Sequence, residues 1–233
     1  MHDERRALAK LTLWLRVAGV RHDGLHLIDA EMVTVDLSDL LTFEDGDGLE
    51  VLGATVESGE GNTVRRALHA VGRRAFVRLH KRIPVGAGLG GGSADAAAVL
   101  RWAGCHDQEV AVAIGADVPF CLVGGRARVS GVGEQVEPLP FVPRSYTLLT
   151  PPLSVATAAV YGAWDDLGGP TGEGRNDLEP AALAVEPELA VWRDRLGDAT
   201  GITPSLAGSG GTWFVEGAFP DVPGAVVTRT DRP

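Results

Sequence analysis

The chain has 233 residues, of which 45% are hydrophobic and 22% charged, and its formal net charge at pH 7 is −10. This length and composition are those of a globular protein with one large domain or two small ones. The acidic balance argues against a nucleic-acid-binding protein, which needs a basic surface, so an anionic ligand must be held by a few cations and backbone N–H groups.

The predicted elements, taken along the chain, indicate a mixed α/β (α+β) fold with largely antiparallel strands, because helices do not alternate regularly with strands. The first strand alternates apolar and other residues, as a half-buried strand does. A proline-rich stretch at 138–143 predicts a boundary between a domain of residues 1–143 and one of residues 144–233. The predicted strands are 11–17, 28–37, 75–79, 126–129, 146–149 and 212–215, and the predicted helices are 63–71, 94–102 and 109–114.

The two cysteines, Cys105 and Cys121, do not have the spacing of a zinc site, and we expect reduced thiols. The charged N-terminal residues lead into only a short apolar segment, so no signal peptide is evident. No apolar run reaches the length of a membrane span. The sequence therefore predicts a cytoplasmic protein with no membrane or nucleic-acid partner.

The most informative segment is Pro84-Val-Gly-Ala-Gly-Leu-Gly-Gly-Gly-Ser-Ala94, in which five of the seven residues 86–92 are glycine. Glycine lacks a Cβ, so backbone N–H groups can turn inward and approach an anion closely. An alanine-rich helix that begins at Ser93 or Ala94 adds unpaired N–H groups and the positive end of its dipole. The segment predicts a phosphate-binding loop.

Other phosphate loops and one hydrolase motif fit the sequence poorly. A dinucleotide fold needs room for a helix and a strand before an acidic residue, and Asp107 follows the glycines too closely. No Gly-Lys-Ser/Thr follows the glycines, and the motifs of protein kinases are absent. A hydrolase serine at Ser209 lacks a histidine after it, since all six histidines lie at or before position 106.

The loop resembles that of the galactokinase, homoserine kinase, mevalonate kinase and phosphomevalonate kinase (GHMP) superfamily. Its Gly-Gly-Gly-Ser form is similar to that of the kinases of 4-diphosphocytidyl-2-C-methyl-D-erythritol in the non-mevalonate isoprenoid pathway. The resemblance covers residues 8–216. The other segments that carry it begin at Ala9 (Ala-Lys-Leu-Thr-Leu-Trp), Arg21 (Arg-His-Asp-Gly-Leu-His), Gly115 (Gly-Ala-Asp-Val-Pro-Phe), Gly131 (Gly-Val-Gly-Glu), Ser154 (Ser-Val-Ala-Thr), Asn176 (Asn-Asp-Leu-Glu-Pro) and Ala207 (Ala-Gly-Ser-Gly-Gly).

The resemblance implies two domains, one like ribosomal protein S5 domain 2 and a C-terminal ferredoxin-like one, with the active site between them. It implies transfer of the ATP γ-phosphoryl group to the substrate's 2-hydroxyl, with Mg²⁺ carried by the nucleotide. The partner is then a small-molecule alcohol, and the protein is expected to be a monomer or a homodimer.

The resemblance also assigns residues. Asp117 matches the family's catalytic aspartate and Lys10 the lysine beside it, although the residues alone also allow a turn aspartate and a solvated lysine. The residues assigned to ATP are Asn62, Lys81, Pro84, Val85, Gly86, Ala87, Gly88, Leu89, Gly90, Gly91, Gly92, Ser93 and Ala94. The residues assigned to the acceptor are Thr12, Leu25, His26, Thr157, Tyr161, Gly208, Ser209 and Gly210. A surface location is the alternative for Lys81 and His26.

The chain departs from the family's pattern at three places. Leu25 replaces a tyrosine that stacks on cytosine, and Thr12 replaces an asparagine. The segment between Trp102 and Gly115 is shorter than in the family. Two alternatives therefore stay open: a diverged kinase that acts on another small alcohol, and a nucleotide-binding protein that has lost catalysis.

Overall fold

The computed structural model describes residues 3–171 and 174–233 and contains two β-sheets with helices packed on them. The larger sheet contains β1 (Asp3–Val20), β2 (His26–Glu44), β3 (Gly48–Leu52), β4 (Phe76–His80), β5 (Arg126–Gly131) and β6 (Gln135–Pro138). The smaller sheet contains β7 (Ser145–Leu149), β8 (Ser205–Leu206), β9 (Trp213–Glu216) and β10 (Val226–Arg229). The helices are α1 (Thr63–Ala70), α2 (Gly91–Trp102), α3 (Gln108–Ile114), α4 (Val118–Val123), α5 (Thr157–Asp166), α6 (Glu179–Val185) and α7 (Leu189–Thr200).

The predicted mixed α/β fold with mainly antiparallel strands is confirmed. Among the paired strands that the structure describes, β3 and β4 are parallel and the other pairs are antiparallel. The strands of the larger sheet end at Pro138 and those of the smaller sheet begin at Ser145. The division into two domains at residue 143 stays a prediction.

The long strand β2 organises the larger sheet. One of its edges pairs with β1 along nearly its whole length. Its other edge pairs with β5 over residues 28–33 and with β4 over residues 40–44. Residues 34–39 of this edge lie between those two partners, and the chain turns from the end of β4 into the phosphate loop beside them.

The prediction of a half-buried first strand is wrong for its central part. Residues 7–13 are all buried, and alternation begins only at Trp14. The reason is tertiary: α2 and α4 pack against β1, and Gly90 and Gly208 lie against the Lys10 side chain. A strand covered on both faces buries successive residues rather than alternate ones.

Both cysteines are free thiols, as expected. Within residues 3–171 and 174–233, no helix combines the length and apolar character that crossing a bilayer requires. The core includes aromatic side chains of both halves, among them Phe120, Tyr146, Trp213 and Phe214.

Candidate active site

A cavity of about 1320 Å³ lies between the phosphate loop, the turn that joins β1 to β2, and α5. Its volume exceeds the ~300–1,000 Å³ that is usual for one small ligand, so it has room for a nucleotide and an acceptor together. All of the sequence-predicted site residues line it except Ala94 and Gly210.

The phosphate loop reaches its helix earlier than the sequence indicates. Helix α2 begins at Gly91, after Gly90 as N-cap, and not at Ser93 or Ala94. The N–H of Ala94 therefore donates to the Gly90 carbonyl inside the helix, over 2.8 Å, and is not free to contact a phosphate. The structure therefore gives no support for assigning Ala94 to the nucleotide site. The helix begins early because Gly91 and Gly92 do not prevent its first turn from forming.

The backbone of residues 85–90 is suited to an anion. Among the described residues, none of these N–H groups donates to a protein acceptor, whereas the Leu89 carbonyl accepts from Lys10 N–H over 3.0 Å. Gly86, Gly88 and Gly90 have φ of +71°, +75° and +67°, a conformation that L side chains rarely adopt. A row of unpaired N–H groups in a left-handed loop before a helix is a phosphate cradle.

The glycine segment 207–211 packs directly against this loop. A Cβ at Gly88 would lie 2.4 Å from the Ala207 carbonyl oxygen and 2.6 Å from that of Gly210, so the two backbones touch. Thr212 N–H also donates to the Ala87 carbonyl, over 3.2 Å. Gly210 does not line the cavity: a Cβ there would point to Leu206 and Ala182, while its carbonyl contacts the backbone of Gly88.

Asn176 holds this second glycine segment in place. Its buried side-chain amide donates to the Leu206 carbonyl over 2.9 Å and to the Gly208 carbonyl over 2.6 Å, and its oxygen accepts from Leu178 N–H over 2.9 Å. Such a fully used amide is costly to remove, since each partner is left unsatisfied. Asn176 belongs to one of the motifs that carry the family resemblance, but that motif assigns it no function.

Lys10 and Asp117 meet in the cavity. Lys10 Nζ lies 3.4 Å from Asp117 Oδ2 and donates to Thr12 Oγ1 over 3.1 Å. The Lys10 side chain is 6% exposed and that of Asp117 33%. Asp117 precedes α4, but its carboxylate does not cap that helix. Lys10 is thus not a solvated lysine, and Asp117 is not only a turn residue.

The space beside this ion pair is narrow and polar. A Cβ at Gly208 would lie 3.2 Å from Lys10 Nζ, and a Cβ at Gly90 would lie 2.7 Å from Lys10 Cγ. Burial, together with the charge of Asp117, raises the pKa of the Tyr161 phenol, which keeps its proton. Thr12 retains an acceptor for Lys10 where the related family has an amide.

Helix α5 forms the other end of the cavity. The His26 ring lies 4.6 Å from the Tyr161 ring, tilted by 35°, and contacts the Trp164 ring edge-on at 5.6 Å. His26 Nε2 is 2.9 Å from Asp165 Oδ1, and Thr157 Oγ1 is 2.9 Å from Ser209 Oγ. His26 is therefore held in place by contacts with α5 and lines the cavity, and it is not a surface residue.

Leu25 stands beside His26 at the mouth of the cavity, with 48% of its surface exposed. An exposed leucine can cover the face of a flat ligand, although it lacks the π-system of an aromatic ring. Asp165 and Trp164 are not among the site residues predicted from the sequence. Their signal is an aromatic residue three positions and an acidic residue four positions after Tyr161, on one helix face. It can be recognised only once 157–166 is known to be helical.

Lys81 and Asn62 line the cavity, but their polar groups have protein partners. Asn62 caps α1, accepting from Val64 N–H over 2.9 Å and donating to the Glu57 carbonyl over 2.7 Å. Lys81 is buried and forms ion pairs with Asp39 and Asp95. The surface location considered for Lys81 is wrong.

Comparisons with known proteins agree with this geometry. Residues 62–125 match the family described as GHMP kinases N terminal domain. The chain is similar to the 4-diphosphocytidyl-2-C-methyl-D-erythritol kinases of Paramagnetospirillum magneticum (37% identity, 89% of this chain and 86% of the relative) and Ruegeria pomeroyi (38%, 94% and 90%).

Solved structures give the same result. A crystal structure of 4-(cytidine 5'-diphospho)-2C-methyl-D-erythritol kinase superimposes with a TM-score of 0.78 at 32% identity, covering 98% of this chain and 100% of that one. The mevalonate kinase of Methanococcus jannaschii shares the fold, with a TM-score of 0.60 at 11% identity over 99% and 98% of the two chains.

The fold and the glycine loop thus define a kinase of the GHMP class. Within that class, the family is shown by 37% and 38% sequence identity to the two kinases named above, over 89% and 94% of this chain. The chain belongs to the 4-diphosphocytidyl-2-C-methyl-D-erythritol kinase family.

Proposed function

We propose that this protein transfers the γ-phosphoryl group of ATP to the 2-hydroxyl of 4-diphosphocytidyl-2-C-methyl-D-erythritol. The family to which the chain belongs supports this substrate. The observation that carries the catalytic assignment is the Lys10–Asp117 pair, with 3.4 Å between Nζ and Oδ2, in the cavity that the phosphate loop also lines.

In the proposed reaction, unpaired N–H groups of residues 85–90 and the N-terminus of α2 bind the phosphates. Asp117 accepts the proton of the acceptor hydroxyl while the hydroxyl oxygen forms its bond to the γ-phosphorus. The bond between that phosphorus and the bridging oxygen breaks, and ADP leaves with the electron pair. Lys10 stabilises the negative charge that develops on the attacking oxygen, and its three donors are aimed by Thr12 and Asp117.

The acceptor end is formed by α5 and the β1–β2 turn. In the proposal, the cytosine ring of the acceptor packs against Leu25 and the His26–Tyr161 pair. Thr157, Gly208 and Ser209 line the side of the acceptor site that is nearest to Lys10. Among these residues, the contact of Thr157 with Ser209 ties α5 to the glycine segment. The acceptor hydroxyl is thereby aligned with the phosphate instead of diffusing freely, which is the main source of rate in such transfers.

Mg²⁺ enters this scheme as part of the Mg·ATP substrate. Among residues 3–171 and 174–233, no three His, Cys, Asp or Glu side chains are grouped to hold a metal ion. Phosphate oxygens and water are the ligands that Mg²⁺ retains most readily. We also propose a cytoplasmic location, supported by two free thiols, and a monomer or homodimer.

Turnover on a panel of alcohol acceptors tests the proposal. We expect ADP release with Mg·ATP and 4-diphosphocytidyl-2-C-methyl-D-erythritol, and release at background level with mevalonate, homoserine and galactose. Phosphorylation of another alcohol but not of the cytidyl substrate would support the diverged kinase. ADP binding without turnover on any acceptor would support the protein that has lost catalysis.

A further inference from the structure

Three charged side chains lie beneath the phosphate loop and contact one another. We call this group, which consists of Asp39, Lys81 and Asp95, the buried charge cluster. Lys81 Nζ donates to Asp95 Oδ2 over 2.8 Å and also to Asp39 Oδ2. The three side chains are 5% exposed or less. Burying ionised groups this deeply costs free energy unless they are paired and hydrogen-bonded.

The buried charge cluster joins the two ends of the loop. Strand β4 ends at His80, and beyond it the N–H groups of Arg82 and Ile83 donate to Asp39 Oδ1, over 2.5 Å and 2.8 Å. Asp39 therefore fixes the segment that leads into the loop, and Asp95 belongs to the helix that leaves it. Lys81 bridges them, and its ammonium lies 3.1 Å from where a Cβ at Gly91 would be.

The charges in this group do not balance when both carboxylates are ionised. Two carboxylates face one ammonium, which leaves a net charge of −1 next to a loop suited to an anion. Burial raises the pKa of Asp95 to about 7. The charge of Lys81 lowers this pKa, and the Asp39 carboxylate partly offsets the effect of Lys81. Among the described residues, Asp95 Oδ1 has no hydrogen-bond partner.

Helices α1, α3 and α4 and strands β1 and β2 pack on α2. Helix α1 presents buried apolar residues, and α3 presents Ala111 and Ile114. Helix α4 carries the buried Cys121 thiol, whose pKa is raised to about 12 by burial, by the charge of Asp117 and to a smaller extent by that of Asp95. Lys10 of β1 and Arg101 of α2 act on the same thiol in the opposite direction. The groups in direct contact with Asp95 are thus those of the buried charge cluster.

We propose that the buried charge cluster positions the phosphate loop and that Asp95 takes up a proton from solvent when nucleotide phosphates bind. This inference rests on the proposed function, because it requires the loop to bind a nucleotide. The reason is electrostatic: the negative charge of the bound phosphates disfavours the net charge of −1 that the buried charge cluster carries when Asp95 is ionised. By linkage, loss of the Asp95 proton weakens nucleotide binding to the same extent. In this proposal Lys81 is a counter-ion that positions the loop, and does not contact ATP directly.

Calorimetric titration with Mg·ADP tests this inference in the wild-type protein and in Asp95→Asn. Proton uptake is obtained at pH 7.5 from the binding enthalpy in two buffers with different ionisation enthalpies. We expect the wild type to take up more protons than Asp95→Asn, and its Kd to weaken about fivefold more between pH 6.5 and 8.5. Protonation of ADP itself cancels in the comparison. Asp198→Asn, an exposed change on α7, is the matched control and should behave as the wild type.

Equal proton uptake and parallel pH profiles in wild type and Asp95→Asn would overturn the inference. If Asp95→Asn does not fold, Asp95→Ser, which is smaller and neutral, must give the same loss of uptake. If the nucleotide-binding part of the proposed function fails, the result is different: the wild-type protein then shows no heat of ADP binding at any pH. If only the catalytic part fails, ADP still binds, turnover is absent on the acceptor panel, and the proton-uptake comparison still tests this inference.

Discussion

The ammonium of Lys10 lies 3.4 Å from the carboxylate of Asp117, although one residue lies within a buried strand and the other precedes a helix. The backbone of Lys10 is also bonded to Leu89 in the phosphate loop, through its N–H, over 3.0 Å. One residue thus fixes the position of the candidate base and of the phosphate loop relative to each other.

Replacement of Asp117 by asparagine should abolish most turnover and leave nucleotide binding intact. The amide has the size of the carboxylate but cannot accept the hydroxyl proton, and general-base catalysis contributes about 10²–10⁴-fold. The measurements are kcat from coupled ADP release and Kd for Mg·ADP from calorimetry. Asp198→Asn serves as the surface control. Wild-type kcat in Asp117→Asn would remove the assignment of that residue.

Gly88→Ala should disrupt nucleotide binding, whereas Gly104→Ala should not. Both glycines have positive φ, +75° and +73°, so both substitutions carry the same backbone strain of about 1–2 kcal/mol. Nothing lies within 4 Å of a Cβ at Gly104, but a Cβ at Gly88 meets the Ala207 carbonyl oxygen at 2.4 Å. We expect Mg·ADP affinity to fall about tenfold or more in Gly88→Ala. Similar affinities of the two variants would contradict the close backbone contact.

Asn176→Asp should destabilise the protein more than Asn176→Ala. Alanine leaves two carbonyls and one N–H unsatisfied, at a cost of about 1–3 kcal/mol. Aspartate keeps the acceptor for Leu178 but directs a carboxylate oxygen at the Leu206 and Gly208 carbonyls, which repel it. Denaturant midpoints at constant pH give the order. The reverse order would mean that the amide is oriented differently.

Tyr161 variants should separate the ring from the hydroxyl. Tyr161→Phe keeps the ring contact with His26 at 4.6 Å, and we expect an acceptor KM within about twofold of the wild type. Tyr161→Ala removes the ring and should raise the acceptor KM about tenfold or more. Mg·ADP affinity should stay constant in both variants. A raised KM in Tyr161→Phe alone would assign the binding contribution to the hydroxyl.

Asp95 should also make stability depend on pH. Burial raises its pKa from 3.8 to about 7, against the effect of Lys81 and with that of Asp39. The folded protein therefore holds a proton that the unfolded chain releases, and this contribution is complete below pH ~4 and lost as the pH rises through ~7. We expect the Tm of the wild type minus that of Asp95→Asn to fall between pH 5 and pH 8 in nucleotide-free protein. A constant difference would contradict the raised pKa.

The phosphate loop and the strands around it follow from local sequence. Glycine spacing after Pro84 predicts an anion cradle, because only the missing Cβ and the following helix are needed. The strands predicted at 75–79, 146–149 and 212–215 correspond to β4, β7 and β9 to within a residue at each end. Family motifs distributed over the chain lead to Lys10 and Asp117 as a pair.

Helix α5 could not be predicted in this way. It buries only Val160 and Trp164, so its sequence carries no continuous apolar stripe. Its function as a wall for His26 depends on a contact between two distant parts of the chain.

By itself, the sequence determined the family, the glycine loop and the residue types of the reaction, since these depend on order and spacing along the chain. Only the tertiary structure decided that Lys81 is held between Asp39 and Asp95, that Asn176 fixes the glycine segment, and that the His26 ring contacts Tyr161. These relationships depend on burial and on contacts between distant segments. Such contacts set the free energy of each charge, and local sequence patterns do not encode them.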